Sequence, residues 1–231
     1  MKKKSYLFAS CKTWHKASFE ALQADSESKW AWVSTPEELL EATSTLKPRY
    51  IFFFHWNWLV PSDVFSQHEC VCFHMTDVPY GRGGSPLQNL IKAGHNSTKL
   101  SALRMVKEMD AGPVYAKREM SLEGKAQEIY LRAGELSIDI AKWMIANEPT
   151  PIPQSGEVTL FKRRTPEQSA LPKDGTLTSI YDHIRMLDAE TYPHAFIEYG
   201  NLTLTLRDAT IVDGELYANV KITLPTLIHE E

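Results

Sequence analysis

The chain has 231 residues and a mass of 26.3 kDa, which is enough for one α/β domain with a small addition. Apolar residues make up 43% and charged residues 23%, so low-complexity and collagen-like classes are excluded. Twenty-five Lys and Arg against 29 Asp and Glu give a net charge of -4, and no nucleic-acid partner is therefore expected.

The cysteine count and the N-terminus both predict a cytoplasmic protein. Three cysteines are too few for a disulfide framework, and this odd, sparse number is typical of a reducing compartment. The first apolar run, residues 5–10, is too short for a signal peptide or a membrane-spanning helix. We therefore expect no membrane partner.

The first third of the chain alternates predicted strands and helices. The predicted strands are Tyr6 to Ala9, Trp30 to Val33, Tyr50 to Phe54 and Cys70 to His74, and the predicted helices are Ala17 to Gln23 and a segment that starts at Ser34 to Glu38 and runs to Leu46. The run from Tyr50 to Phe54 is apolar on both faces, which indicates a central strand covered by helices on both sides. The order predicts an α/β fold with a doubly wound, mostly parallel sheet, whose ligand lies beyond the carboxyl ends of its strands.

The rest of the chain predicts a long helix, a connector and a small mixed region. The predicted segments are a short helix from Pro86 to Ala93, an amphipathic helix from Ala126 to Glu148, a proline-rich connector from Thr150 to Gly156, a short strand from Val158 to Phe161, a helix from Thr178 to Leu187, and strands at His194 to Tyr199, Leu202 to Arg207 and Leu216 to Ile222. The segment from Lys99 to Met109 is compatible with a strand or a helix. We expect a main domain over residues 1–155 and a C-terminal helix plus β-meander over residues 156–231.

His74 is the first candidate site residue. It ends a buried strand and precedes a loop, residues 79–86, that contains three glycines and two prolines. Such a loop brings backbone close to a ligand and could cradle a phosphate, although it lacks the P-loop sequence. A core or capping histidine is the alternative. Cys70, Cys72 and His74 share one strand face, but their spacing is not that of a zinc site and no second ligand cluster follows, so no metal is expected.

Two motifs resemble the formyltransferases that use 10-formyltetrahydrofolate. The first is Phe73-His74-Met75-Thr76-Asp77-Val78-Pro79-Tyr80-Gly81-Arg82-Gly83-Gly84-Ser85-Pro86 and the second is Glu108-Met109-Asp110-Ala111-Gly112-Pro113-Val114. In that family an Asn-x-His at a strand end precedes a Leu-Pro and Arg-Gly loop, and the catalytic Asp lies in an Asp-x-Gly segment. His74 and Asp110 are 36 residues apart, as in the family.

The resemblance implies a catalytic domain over residues 1–155 with 10-formyltetrahydrofolate as the co-substrate. His74 and Asp110 would form the acid–base pair, because an amine that attacks a formyl carbon must lose a proton, and a carboxylate beside an imidazole fixes its tautomer and supports its charge. The pterin would bind at Leu59, Val60 and Pro61, with Asp110 also contacting the folate.

The region after the main domain adds a second resemblance. Residues 161–169, 184–188 and 192–196 are similar to the segment that follows the catalytic domain in sugar-nucleotide N-formyltransferases, closest to enzymes of the pseudaminic acid pathway. The implied acceptor is a nucleotide-linked amino sugar, a UDP-4-amino-dideoxy sugar, and a homodimer is possible. Arg82, Gly83, Gly84 and Ser85 are then candidate substrate-binding residues, although Arg82 could equally hold its own loop.

One position departs from the family. Cys72 stands where the family has Asn, and a thiol donates only weakly to a developing oxyanion. Asn57, which follows the preceding central strand, is the predicted replacement, and a turn-forming side chain is the alternative. Cys72 also leaves open a catalytically impaired folate- or nucleotide-binding protein, and a formyltransferase with another amine acceptor remains a further alternative.

Overall fold

A computed structural model describes residues 3–24, 28–190 and 192–224. The chain forms two compact units. The first comprises the described residues up to Pro86, Thr98–Met120 and Leu131–Phe161, and the second comprises Leu87–Ser97, Ser121–Tyr130 and the described residues from Lys162 onward. The predicted boundary near residue 155 remains a prediction.

The elements alternate as an α/β chain should. The strands are β1 Ser5–Ala9, β2 Lys29–Val33, β3 Tyr50–Phe53, β4 Cys70–His74, β5 Arg82–Gly83, β6 Ser97–Arg104, β7 Val114–Ser121, β8 Leu160–Phe161, β9 Ala195–Tyr199, β10 Leu202–Val212 and β11 Glu215–Thr223. The helices are α1 Lys16–Ala24, α2 Pro36–Leu46, α3 Ser62–Gln67, α4 Pro86–Lys92, α5 Ala126–Asn147 and α6 Leu177–Arg185, with short 3-10 helices at Thr13–His15 and Pro166–Ser169.

The first unit is built on a six-stranded sheet of order β2-β1-β3-β4-β6-β7. Strands β1 to β4 pair in parallel, and β6 pairs antiparallel with β4. The predicted doubly wound, mostly parallel fold class is confirmed. Helix α2 begins as predicted, since the Thr35 side chain accepts a hydrogen bond from the Glu38 amide and Pro36 occupies the first turn.

Alternation along the central strands gives the sheet two different apolar faces. One face is a layer of aromatic rings, in which Phe8 stacks on Phe54 at 4.0 Å and Phe54 on Phe73 at 5.0 Å between ring centroids. The other face is a mainly aliphatic core cluster of Leu7, Ala9, Val33, Leu39, Ile51, Phe53, Val64 and Cys70. Burial on both faces explains why these strands read as continuous apolar runs.

Five elements were not predicted from the sequence, namely helix α3, strands β5 and β7 and the two short 3-10 helices. The segment Lys99 to Met109, whose sequence is compatible with a strand or a helix, is strand β6 as far as Arg104 and irregular beyond it. Its residues Leu100, Ala102 and Leu103 are buried. A short apolar run of this kind cannot be assigned from periodicity alone, because pairing with β4 decides its conformation.

The second unit contains helix α6 and the three-stranded antiparallel sheet β11-β10-β9, which is the predicted helix plus β-meander. Strand β10 extends five residues beyond its predicted end, past a register shift between Arg207 and Thr210. The Arg185 guanidinium of α6 donates to the carbonyl groups of Leu122 and Gly124. These contacts tie distant segments of this unit together.

Two adjacent leucines on α2 test the burial of the aliphatic core. Leu39 is fully buried, whereas Leu40 is 49% exposed. We expect Leu39→Ala to lower the free energy of unfolding by about 2–5 kcal/mol, because it leaves a cavity in the core. Leu40→Ala is the matched control with the same change in helix propensity, and we expect a loss of less than about 1 kcal/mol. Urea unfolding measures both, and equal losses would contradict this core assignment.

Candidate active site

The candidate site lies beyond the carboxyl ends of β1, β3 and β4. Strand β1 pairs with β2 on one side and β3 on the other, so the chain reverses its direction across the sheet between β1 and β3. In open α/β sheets this switch point is where a crevice forms for ligands. The residues that leave these strands are Ser10, the segment 54–57 and His74 with the loop after it.

His74 is buried and has a defined tautomer. Its side chain ends β4 with the residue 7% exposed, and Nε2 lies 2.8 Å from the carbonyl oxygen of Gly81. A carbonyl can only accept a hydrogen bond, so Nε2 donates and carries the proton. In neutral His74 the lone pair is therefore on Nδ1, which lies 3.5 Å from Oδ2 of Asp110. Gly81, rather than the expected carboxylate, fixes the tautomer.

Asp110 is held by backbone groups. Its Oδ2 accepts a hydrogen bond of 2.9 Å from the amide of Gly83, and its own φ of 53° lies in the left-handed region. Position 112 of the Asp-x-Gly segment requires a glycine for a steric reason, since a Cβ on Gly112 would lie 1.7 Å from the carbonyl oxygen of Arg104. The chain must pass this close to β6 to present the carboxylate.

The glycine-rich loop uses its own backbone amides within the protein. The amide of Arg82 donates to the Thr159 carbonyl, that of Gly83 donates to Asp110, and that of Gly84 donates to the Phe161 carbonyl. Gly83 has a φ of 107°, and an added Cβ would lie 2.4 Å from the Phe161 oxygen. These amides are committed to β8 and Asp110, which argues against a phosphate cradle made from them.

The Arg82 side chain also turns inward. Its Nε and Nη2 donate to Oε1 of Gln154 at 3.0 and 2.7 Å. This contact ties the loop to the connector, and a substrate contact by Arg82 stays a prediction. Ser85 follows with a φ of 49°. A substrate contact by Gly84 or Ser85 stays a prediction.

Cys72 and Asn57 differ in their burial. Cys72 packs against the aliphatic core cluster, and burial raises the pKa of its thiol, with a further increase from the negative charge of Asp110. The thiol is thus neutral and near the carboxylate. Asn57 is exposed, and its backbone amide hydrogen-bonds to Cys11. Within the described residues its side chain makes no hydrogen bond to His74 or Asp110.

The segment expected to bind the pterin lies between β3 and α3. Leu59 is 82% exposed, Val60 packs against the aliphatic core cluster, and Pro61 is the N-cap of α3. Trp58 is also exposed and packs edge-on against Trp56. The segment therefore presents apolar side chains to solvent at the carboxyl edge of the sheet.

A histidine pair links the ends of β1 and β3. His15 Nε2 and His55 Nδ1 are 2.8 Å apart, and the Cys11 thiol donates to the His55 carbonyl at 2.9 Å. Burial lowers the pKa of His15 to about 4 and that of His55 to about 3, the latter with a further decrease from His15. Both rings are neutral at pH 7. Forty residues separate them, so no motif indicated the pair.

Several residues that support the site were missed from the sequence. Gly81 and Gly112 lie inside the quoted motifs, and their individual roles depend on contacts with other segments. Gln154 had no signal, since a connector residue carries no pattern that points to a distant site. Phe161 begins the segment 161–169 of the second resemblance, which did not indicate that its carbonyl group accepts from the Gly84 amide.

In the described part of the chain, no group of three or more His, Cys, Asp or Glu side chains could hold a metal ion. None of the described helices is both long and apolar enough to span a membrane.

Comparison with known proteins identifies similar chains of more than one kind. Residues 166–223 match the family model for the C-terminal domain of methionyl-tRNA formyltransferase. A methionyl-tRNA formyltransferase from Rickettsia bellii is 24% identical over 186 residues, which are 78% of this chain and 60% of that protein. The chain thus spans less than two thirds of the length of this curated relative.

Two solved structures share the fold over almost their whole lengths. A methionyl-tRNA formyltransferase from Clostridium thermocellum is 40% identical with a TM-score of 0.93, and the match covers 96% of this chain and 99% of that chain. A sugar N-formyltransferase from a Shewanella species is 14% identical with a TM-score of 0.70, and the match covers 90% of this chain and 98% of that chain.

The histidine pair generates a prediction for stability against pH. The folded pKa values of His15 and His55 lie below the unfolded value of about 6.5, so the unfolded state binds more protons as the pH falls. Stability is full above about pH 6.5, and we expect it to decrease toward pH 4. The free energy of unfolding of the His15→Gln variant should decrease less steeply as the pH falls, as measured by urea unfolding at pH 7, 5.5 and 4.5. His68→Gln is the control and should keep the wild-type slope. An equal slope in His15→Gln would refute the assignment.

Proposed function

The chain belongs to the formyltransferase family, and we propose that it transfers a formyl group from 10-formyltetrahydrofolate to a primary amine. The observation that carries this proposal is the arrangement of His74 and Asp110, with Nδ1 facing Oδ2 across 3.5 Å at the carboxyl edge of the sheet. The two residues match the family's catalytic histidine and aspartate in their motifs. The position of the pair at the end of β4 supports the proposal, because open α/β sheets bind ligands beyond the carboxyl ends of their strands.

His74 Nδ1 accepts the proton in this proposal. The amine attacks the formyl carbon, and the tetrahedral intermediate carries an oxyanion and an ammonium. Since Nε2 already donates to Gly81, Nδ1 is the free basic nitrogen and takes a proton from the ammonium. The negative charge of Asp110 stabilises the imidazolium that forms. The proton then passes to N10 of the folate as the carbon–nitrogen bond to the folate breaks.

The folate would bind beside the exposed segment after β3. A pteridine ring is planar and largely apolar on its faces, and the exposed side chains of Trp58 and Leu59 offer apolar surface for it. Val60 and Pro61 anchor this segment to the aliphatic core cluster and to α3. A firmly attached loop with exposed apolar tips suits a reversible co-substrate.

For the acceptor we propose a nucleotide-linked amino sugar, a UDP-4-amino-dideoxy sugar as in pseudaminic acid biosynthesis. Charge supports a small acceptor, because residues 156–231 contain seven Lys and Arg against twelve Asp and Glu. An acidic C-terminal region is unsuited to binding the phosphates of a tRNA.

Methionyl-tRNA is the second candidate acceptor. It is favoured by the 40% identity to the Clostridium thermocellum protein and by the family model over residues 166–223.

Parallel assays with each acceptor distinguish the two candidates. Purified protein is given 10-formyltetrahydrofolate with a UDP-4-amino sugar or with methionyl-tRNA, and both tetrahydrofolate release and formylated product are measured. The proposal expects transfer to the sugar and at most trace transfer to the tRNA. Transfer to the tRNA alone would replace the sugar proposal, and transfer to neither would contradict both.

Substitution of the acid–base pair tests the assigned roles. We expect His74→Gln and Asp110→Asn each to lower kcat by about 100- to 10,000-fold, since each removes a proton-transfer or charge-stabilising group. Circular dichroism and urea unfolding should show that both variants remain folded. His68→Gln, a histidine outside this site, should retain wild-type turnover. A His74→Gln variant within threefold of the wild type would overturn the assignment.

Position 72 raises the question of the oxyanion donor. We propose that Asn57 supplies it once substrates are bound, because the neutral Cys72 thiol beside Asp110 is a weak donor. Asn57→Ala should then lower kcat by about 100-fold with little change in KM, whereas Cys72→Ala should stay within about threefold. The reverse pattern, with Cys72→Ala inactive and Asn57→Ala active, would place the donor at position 72.

A further inference from the structure

Gln154 is a glutamine in the proline-flanked connector whose side chain forms four hydrogen bonds. Its Oε1 accepts from Nε and Nη2 of Arg82, and its Nε2 donates to the carbonyl oxygens of Asp110 and Gly112 at 2.8 Å each. A guanidinium can only donate and a carbonyl can only accept, so the amide has one possible orientation. Both of its polar atoms are used.

The two carbonyl groups that Gln154 binds flank the catalytic turn. Asp110 has a left-handed φ of 53°, a conformation that Asp adopts more readily than most L-residues, so the turn is defined by its hydrogen bonds and not by strain. The bonds from Gln154 fix the peptide groups at the Asp110 and Gly112 positions, while Gly83 fixes the carboxylate itself. The orientation of the side chain toward His74 therefore depends on backbone held by Gln154.

The connector is itself anchored where it approaches the site. Ile152 exchanges two backbone hydrogen bonds of 2.8 Å with Val114, the first residue of β7. Val114 follows the Asp-x-Gly segment by two residues, so the bridge brings Gln154 alongside that segment. The other partner, Arg82, lies in the glycine-rich loop whose amide at Gly83 binds Asp110. Gln154 thus joins both loops that define the site.

We propose that Gln154 is a positioning residue for Asp110 and that Arg82 is its partner in this role, not a substrate ligand. The proposal rests on the proposed function, because it assigns Gln154 an effect on formyl transfer. Replacement by Glu keeps the shape and the contact with Arg82. It removes both donors, however, and turns an oxygen toward the two carbonyl groups. Gln154→Glu therefore tests the donors separately from packing.

The first experiment is a kinetic double-mutant cycle. Gln154→Glu should lower kcat by about 10- to 100-fold and change KM for folate and amine by less than about twofold, since a displaced catalytic group costs turnover more than binding. In an Asp110→Asn background the same change should cost less than about twofold, measured by single-turnover product formation, because the positioned group is already lost. Equal losses in both backgrounds would indicate a general structural role and overturn the proposal.

A matched control and an activity-free measurement complete the test. Gln23 of α1 also donates from its side-chain Nε2 to a backbone carbonyl, that of Trp30, and Gln23→Glu should leave kcat unchanged. Amide hydrogen exchange of residues 108–112 should speed up in Gln154→Glu by about tenfold or more, with β3 and β4 unchanged.

Each outcome then has one meaning. Unchanged exchange together with unchanged kcat in Gln154→Glu would overturn the positioning role while leaving the proposed function intact. A wild-type protein that transfers no formyl group would overturn the proposed function. Faster exchange in Gln154→Glu would then show that Gln154 holds the turn without any effect on catalysis. That result would overturn the positioning proposal as well.

Discussion

The geometry of the site depends on the carboxylate of Asp110 and the amide of Gly83 that binds it. This hydrogen bond of 2.9 Å holds Oδ2 at 3.5 Å from Nδ1 of His74, although the two side chains come from segments 36 residues apart. The bond needs a glycine-rich loop that comes close to the Asp-x-Gly turn. It also needs Gly112, because only a glycine can pass the Arg104 carbonyl at this distance.

Burial of the sheet on both of its faces explains how the short distance between His74 and Asp110 can be maintained. Phe8, Phe54 and Phe73 stack on one face, and the aliphatic core cluster covers the other, so β3 and β4 are fixed on both sides. His74 is therefore held at the end of a rigid strand, whereas Gly83 and Asp110 lie in loops. Rigid elements that present functional groups at their ends give more exact sites than loops alone.

Local pattern predicted much of the fold and singled out His74 and Asp110, whose side chains lie together in the structure, and tertiary contact decided the rest. The two-sided apolar run of β3 and the capped start of α2 are local signals, as are the motifs around His74 and Asp110. Strand β6 depends on pairing with β4, so its apolar residues did not reveal their conformation. Gln154 acts through partners 44 and 72 residues away, and no local property of a proline-rich connector indicates such contacts.

The proposed roles of His74 and Asp110 can be tested by a crystal structure with a stable analogue of 10-formyltetrahydrofolate. We expect the analogue to bind at the carboxyl edge of the sheet, with its pterin beside residues 59–61 and its formyl group within about 3 Å of His74 Nδ1 or of a water molecule bound to it. The hydrogen bond from Gly83 to Asp110 should persist in the complex. An analogue bound with its formyl group directed away from His74 and Asp110 would refute these roles.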